Sequence, residues 1–137
     1  MNILFYLVPK SDVMFLYDDY TLRQALEKME HHKYSAVPMI NRAGNYVGTL
    51  TEGDVLWELK DRCLTNLHEA EDIPVRRIRR KMDNQPVNVN CNIEDLVMTS
   101  MNQNFVPVID DNGIFIGIVT RKSIIEYCYN KYKEFAT

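Results

Sequence analysis

The stretch GTLTEGD, Gly48 to Asp54, decides the fold because the chain repeats it in altered form. The segment GIVTRKS, Gly117 to Ser123, lies 69 residues further along. Both segments begin with a glycine, continue through apolar residues and reach a threonine at the fourth position. The acid three residues after the first threonine, Asp54, becomes Ser123 in the second copy. A strand that turns into a helix explains this pattern, and so does a place where a small molecule is held.

The repeat extends well beyond these two segments. Residues 34–59 align with residues 103–128 without a gap, and residues 21–29 pair with residues 92–100 at an offset of 71. A repeat of this length indicates one supersecondary unit that is used twice. The matched positions include Val37, Pro38, Gly44, Gly48 and Thr51 in the first copy, and Val106, Pro107, Gly113, Gly117 and Thr120 in the second.

Each copy predicts the same order of elements. A helix begins at a capping-box pattern, Thr21 with Gln24 or Asn92 with Asp95. Two apolar runs around a glycine-containing turn then predict a hairpin, and a second helix follows near Thr51 or its counterpart. With an extended segment before the first helix, the unit is β-α-β-β-α and the fold is mixed α/β of the α+β class. The predicted boundaries are residues 8–62 for the first unit, 63–77 for a linker and 78–135 for the second unit.

Composition narrows the class of protein. The chain has 46% hydrophobic and 26% charged residues, which is typical of a globular domain. Its net charge of -3 disfavours a nucleic-acid binder, since such proteins are usually basic. Three scattered cysteines form no disulfide framework and indicate a reducing cytoplasm. The apolar segment Ile3 to Val8 is far too short to span a bilayer, so no membrane partner is expected.

The two copies resemble a tandem of cystathionine-β-synthase-type (CBS) domains, also called a Bateman module. The resemblance rests on an apolar-x-apolar-Pro strand in each unit and on a Gly-x-x-Thr-x-x-Asp turn, whose acid is replaced by Ser123 in the second unit. It covers about residues 8–135. It implies two units that pack through their sheets with pseudo-twofold symmetry and leave clefts for adenosine compounds. It also implies dimers formed through helices, and a sensor that signals to a separate partner. Nothing in the resemblance implies an enzyme or a required cofactor.

The resemblance implies roles for specific residues. In the family the counterpart of Asp54 holds ribose, the counterpart of Thr51 lies near ribose or phosphate, and the strand before the proline contacts adenine through its main chain. The implied ligand-binding residues are Tyr34, Ser35, Ala36, Val37, Pro38, Gly48, Thr51 and Asp54 in the first copy, and Phe105, Val106, Pro107, Thr120, Arg121 and Ser123 in the second.

Physical chemistry supports two interpretations of Thr51 and Asp54. An ionised carboxylate accepts hydrogen bonds from both hydroxyls of a ribose, and a helix N-terminus favours phosphate. The same two residues also cap the first turn of a helix without any ligand. In the second copy Ser123 carries no charge, while Arg121 and Lys122 are suited to phosphate or are simply exposed. One competent adenosine cleft and a second that is weak, empty or used for phosphates are therefore predicted.

The basic segment VRRIRRK, Val75 to Lys81, has three interpretations. It is a solvated linker, it lines a cleft mouth and meets phosphates, or it binds a nucleic acid or an acidic partner. His31, His32 and His68 form no credible metal site, and no nucleophile motif supports catalysis.

The sequence thus predicts a non-enzymatic regulatory module that binds AMP, ADP, ATP or cyclic di-AMP and signals to an effector protein. The alternative is an interaction module without a ligand. The apolar residues of the two closing helices extend beyond one face and predict a homodimer. They include Leu56, Trp57, Ile125, Tyr129, Tyr132 and Phe135.

Overall fold

The computed structural model describes residues 1–32, 34–63 and 66–136. The strands in these ranges are β1 (Val8–Pro9), β2 (Leu16–Tyr17), β3 (Ala36–Ile40), β4 (Tyr46–Thr51), β5 (Val87–Asn88), β6 (Phe105–Ile109) and β7 (Phe115–Thr120). The α-helices are α1 (Leu22–His32), α2 (Glu52–Asp61) and α3 (Arg121–Ala136). Short 3₁₀ helices lie at Ile3–Phe5, Lys10–Asp12, Leu67–Asp72, Val75–Arg77, Ile93–Leu96 and Thr99–Met101.

The chain divides into two compact units. The first unit consists of residues 14–83, and the second unit consists of residues 1–13 and 84–137. The residues before position 14 belong to the second unit because β1 pairs with β7, whereas the sequence boundaries begin the first unit at residue 8. Residues 63–77, which the sequence places in a linker, lie within the first unit.

The predicted repeat extends to the register of the two sheets. In the first unit, β2 runs parallel to β3 and β3 pairs antiparallel with β4. In the second unit, the strand order is β1-β7-β6-β5, with β5 parallel to β6 and β6 antiparallel to β7. Ala36 faces Thr51 across the first hairpin, and Phe105 faces Thr120 across the second. The predicted hairpins are confirmed, including the left-handed turn glycines Gly44 and Gly113.

The first unit has its own hydrophobic core. Helix α1 begins at the predicted capping box, in which the Gln24 N–H donates to Thr21 Oγ1 at 3.1 Å and the Thr21 N–H donates to Gln24 Oε1 at 2.9 Å. The segment after Asp72 adds to this core because the Ile73 carbonyl accepts from the Leu22 N–H at 2.7 Å. Its fully or nearly buried residues include Leu16, Leu22, Ala25, Val37, Met39, Leu50, Val75 and Ile78.

In the second unit, the regular helix expected after Asn92 is replaced by two short 3₁₀ turns, Ile93–Leu96 and Thr99–Met101. The sequence expectation is wrong here because Ser and Thr side chains compete with the helical ladder. Ser100 Oγ donates to the Val97 carbonyl at 2.7 Å. The turns still deliver their apolar residues to a core that includes Ile3, Ile93, Leu96, Val106, Val108, Val119, Ile124 and Tyr127.

None of the helices in the described ranges is both long enough and apolar enough to cross a bilayer.

Candidate functional site

Thr51 and Asp54 form a capping box where β4 passes into α2. Thr51 Oγ1 accepts a hydrogen bond from the Asp54 N–H at 3.1 Å, and Asp54 Oδ2 accepts from the Thr51 N–H at 3.0 Å. Two backbone donors at the helix start are thereby satisfied reciprocally. The interpretation of these residues as helix caps is therefore correct, and it leaves the second carboxylate oxygen of Asp54 for another partner.

That second partner comes from the basic segment. Asp54 Oδ1 accepts a hydrogen bond from the Lys81 N–H at 3.0 Å. We call residues 79–83 the strap, because they cross the end of β4 beside this carboxylate. As a result only 4% of Asp54 is exposed. Each carboxylate oxygen has two acceptor positions, so one backbone bond on each oxygen does not exhaust the group.

A second aspartate holds the strap against β4. Asp83 Oδ1 accepts from the Thr49 N–H at 2.9 Å and from Arg80 Nε at 2.6 Å, and Asp83 Oδ2 accepts from Arg80 at 3.2 Å. A Cβ atom on Gly48 would lie 2.6 Å from Asp83 Oδ1 and 2.9 Å from Arg80 Nε. In this structure the missing side chain of Gly48 makes room for the strap.

The electrostatics of the strap follow from this ion pair. Hydrogen bonding to Asp83 raises the pKa of Arg80, with burial opposing the rise. Burial acts to raise the pKa of Asp83, but the Arg80 guanidinium and the Thr49 N–H outweigh it and hold that pKa below its usual value. The pair is thus ionised across the neutral pH range.

The strap and α2 border a half-open cavity of about 410 Å³ beside Asp54. This volume lies within the range of small-molecule sites. The cavity is lined by Asp54, Trp57, Glu58, Asp61, Arg79, Arg80 and Lys81. Glu58 pairs with Arg62, and Arg80 pairs with Asp83. In the described ranges Arg79 and the Lys81 ammonium have no carboxylate partner, so both can meet an anion.

The other predicted residues of the first copy lie apart from this cavity. Tyr34 stacks on His32 with 5.7 Å between ring centroids, and it lines a different, apolar cavity between α1 and α2. The Ser35 carbonyl accepts from the Glu52 N–H at 2.9 Å, which ties the start of β3 to the start of α2. Val37 and Pro38 are buried within β3. The structure therefore groups Thr51, Asp54 and Gly48 with the strap but does not bring Tyr34 to them.

In the second copy, the predicted ligand-binding polar groups make hydrogen bonds within their own unit. Thr120 Oγ1 accepts from the Ser123 N–H at 3.2 Å and caps α3 without a carboxylate, and it also donates to Ser123 Oγ at 3.0 Å. Arg121 Nε donates to the Ser100 carbonyl at 2.7 Å and to the Gln103 carbonyl at 3.2 Å. An anchored guanidinium is less available to phosphate than the sequence suggests.

The strand that begins at Phe105 is engaged in the same way. The Phe105 carbonyl accepts from the side-chain amides of Asn84 at 3.0 Å and Gln103 at 3.3 Å. Both amide side chains are buried. The resemblance implied that this stretch of strand meets adenine, and here its first carbonyl already has protein partners. Val106 and Pro107 continue the strand as buried residues.

Sequence reasoning missed Asp83, which accepts hydrogen bonds from the Thr49 N–H and from Arg80. We call these contacts of Asp83 the latch, because they hold the strap against β4. An available signal was the Arg80 and Asp83 spacing of three residues directly after the basic segment, which favours an ion pair. Of the basic segment, Arg79, Arg80 and Lys81 line the cavity, whereas Arg76 and Arg77 are exposed. Among the described residues no group of His, Cys, Asp and Glu could hold a metal ion.

Comparison with known proteins agrees with this architecture. The chain matches the CBS domain family over residues 7–61 and 70–130. The uncharacterized protein MJ1225 of Methanocaldococcus jannaschii is 26% identical over 136 residues, which cover 89% of this chain and only 48% of MJ1225. The chain thus spans about half the length of this curated relative.

Two solved structures show the shared fold. The crystal structure of CbpB in complex with c-di-AMP is 26% identical, with a TM-score of 0.84 over 99% of this chain and 89% of that one. The crystal structure of CBSX2 in complex with AMP is 19% identical, with a TM-score of 0.75 over 96% and 98%. The two family matches, the hairpin and closing helix that both units share, and these neighbours place the chain in the CBS domain family, as a protein with two CBS domains.

Proposed function

We propose that this protein is a regulatory module that binds an adenine nucleotide at Asp54. One observation carries the proposal: the carboxylate of Asp54 and the cationic residues Arg79, Arg80 and Lys81 line a single cavity. A nucleotide presents a vicinal diol and a phosphate a short distance apart, and these groups need an acceptor and a cation respectively. The similarity to CbpB, which was solved with c-di-AMP, makes a cyclic dinucleotide the first ligand to test.

Each residue has a role in this proposal. Asp54 accepts hydrogen bonds from the ribose hydroxyls, in a position fixed by the Thr51 N–H. Thr51 begins α2, whose N-terminus adds a partial positive charge next to the ligand. Arg79 and Lys81 contact the phosphate, since Arg80 is already paired with Asp83. Contact of the base with residues 34–38 remains part of the proposal.

The second copy is proposed to bind nucleotide weakly or not at all. Ser123 replaces the acid, and one hydroxyl cannot bind a diol as strongly as a carboxylate does. Arg121 and Phe105, which the family resemblance assigned to the ligand, make hydrogen bonds within the unit. For a mononucleotide such as AMP we therefore expect one strong site per chain.

Regulation would proceed by population shift. A ligand that binds one conformation more tightly raises the population of that conformation and changes the surface offered to a partner. We propose that the partners are an effector protein and a second copy of this chain. Large apolar side chains on α2 and α3 remain exposed and support self-association. They are Leu56, Trp57, Ile125, Tyr129, Tyr132 and Phe135.

The test is isothermal titration calorimetry with AMP, ADP, ATP, S-adenosylmethionine, NAD and cyclic di-AMP. Asp54→Asn keeps the size of the side chain and removes its charge. It should weaken binding about 10- to 100-fold, because a hydrogen bond to a charged group contributes about 1.5–3 kcal/mol. Asp72→Asn, at an exposed residue of the same unit, is the matched control. Equal affinity in wild type and Asp54→Asn would exclude this site, and no binding of any ligand would favour an interaction module.

A further inference from the structure

The strap covers the carboxylate that the proposed ligand needs. Asp54 Oδ1 accepts the Lys81 N–H at 3.0 Å, Asp54 Oδ2 accepts the Thr51 N–H at 3.0 Å, and only 4% of the residue is exposed. The Thr51 donor belongs to the helix start and has no reason to move. The Lys81 donor belongs to an irregular segment, and it is the group that a ribose hydroxyl would replace.

The strap is held by few contacts. Residues 79–83 have no regular secondary structure, and Arg79, Lys81 and Met82 are exposed. Its bonds to β4 and α2 are the Asp83 contact to the Thr49 N–H and the Lys81 contact to Asp54. Segments with few buried contacts open at a low free-energy cost, so local opening of the strap is physically accessible.

We propose that the strap is a gate, closed over Asp54 by the Asp83 latch and opened when a nucleotide diol takes the place of the Lys81 N–H. This inference rests on the proposed function, because it needs a ligand at Asp54. It adds a route for the signal: Asp83 is followed directly by Asn84, the first residue of the C-terminal part of the second unit. Opening the gate moves the Lys81 main chain off Asp54, while the Arg79 and Lys81 side chains stay with the phosphate.

Loss of the latch should tighten nucleotide binding, whereas loss of a residue that contacts the ligand would weaken it. If only the open state binds, the apparent dissociation constant is the intrinsic one divided by the open fraction. Asp83→Ala removes the bond to Thr49 and the Arg80 pair, and so raises the open fraction. We expect nucleotide binding at least about fivefold tighter in Asp83→Ala than in wild type. Gly48→Ala displaces the same side chains by a Cβ contact of 2.6 Å and should tighten binding in the same direction.

Limited trypsin digestion reports on the gate itself, because Arg79, Arg80 and Lys81 are cleavage sites within the strap. Without nucleotide, Asp83→Ala should be cut in the strap at least about fivefold faster than wild type and than the exposed control Asp72→Ala. Mass spectrometry assigns each cut, and circular dichroism establishes that each variant is folded.

The possible outcomes distinguish a failure of the gate proposal from a failure of the proposed nucleotide site. Weaker binding in Asp83→Ala and Gly48→Ala would overturn the gate and show that the nucleotide binds to the closed strap. Equal cleavage of wild type and Asp83→Ala without nucleotide would show that the latch holds nothing. Absence of binding in every protein would instead overturn the proposed function, together with the gate that depends on it.

Discussion

Two glycines at equivalent positions of the repeat should respond very differently to substitution by alanine. Gly48 lies in β4 and Gly117 lies in β7, 69 residues later. Gly117 has φ +154°, and a Cβ atom there would lie 2.2 Å from the Val8 carbonyl oxygen of the neighbouring strand β1. Gly48 has no left-handed φ, and the three atoms nearest to its added Cβ would be side-chain atoms of Asp83 and Arg80.

The structure gives the size of each effect. At Gly117 the strained backbone costs about 1–3 kcal/mol and the backbone overlap about 1–3 kcal/mol more, so Gly117→Ala should lower the free energy of unfolding by about 2–6 kcal/mol. At Gly48, loss of the latch lowers the free energy of unfolding by about 1 kcal/mol. Alanine also raises this free energy by about 0.4–1 kcal/mol, because it restricts the unfolded chain. Gly48→Ala should therefore stay within about 1 kcal/mol of wild type.

Urea unfolding followed by far-ultraviolet circular dichroism measures both variants. The expected result is a marked drop in the midpoint for Gly117→Ala and a small change for Gly48→Ala. Similar midpoints for the two variants would refute the assignment of one glycine to a backbone contact and the other to a side-chain latch.

Two further predictions concern α3. Sedimentation velocity should show that the 16.1 kDa chain forms a dimer. Tyr132→Glu should shift this dimer toward monomer, whereas Asn130→Glu, at an exposed polar position, should not. A monomeric wild type would contradict this prediction. The hydrogen bond from the Tyr127 hydroxyl lowers the pKa of Glu94 to about 2. The ionised Glu94 carboxylate therefore stabilises the fold above the ordinary Glu pKa, and this stabilisation is lost as the pH falls toward 2. The melting temperature of Glu94→Gln should thus fall less steeply than that of wild type below pH 4.5, and parallel curves would contradict the reasoning.

Much of the fold could be predicted from the repeat, because local patterns and sheet register repeat together. The offset that aligns Thr51 with Thr120 also aligns the residues facing them, Ala36 and Phe105. The pairing of β1 with β7 could not be predicted in this way, since two residues carry no periodic signal. The loss of a regular helix after Asn92 likewise depends on side-chain competition with the backbone.

The candidate site was predictable only in part. Thr51 and Asp54 follow from the motif, and their capping geometry follows from physical chemistry. The strap does not, because its position depends on Asp83 reaching the Thr49 N–H, 34 residues away in sequence. Gly48 illustrates the difference. From the sequence, we expect a ligand to lie against this glycine, but in the structure the side chains of Arg80 and Asp83 lie there.

The central claim is that Asp54 holds an adenine nucleotide. The most direct measurement is calorimetric titration of wild type, Asp54→Asn and Asp72→Asn with cyclic di-AMP and AMP. The account predicts binding by wild type and Asp72→Asn, with affinity at least about tenfold weaker in Asp54→Asn. Undiminished binding by a folded Asp54→Asn protein would contradict it.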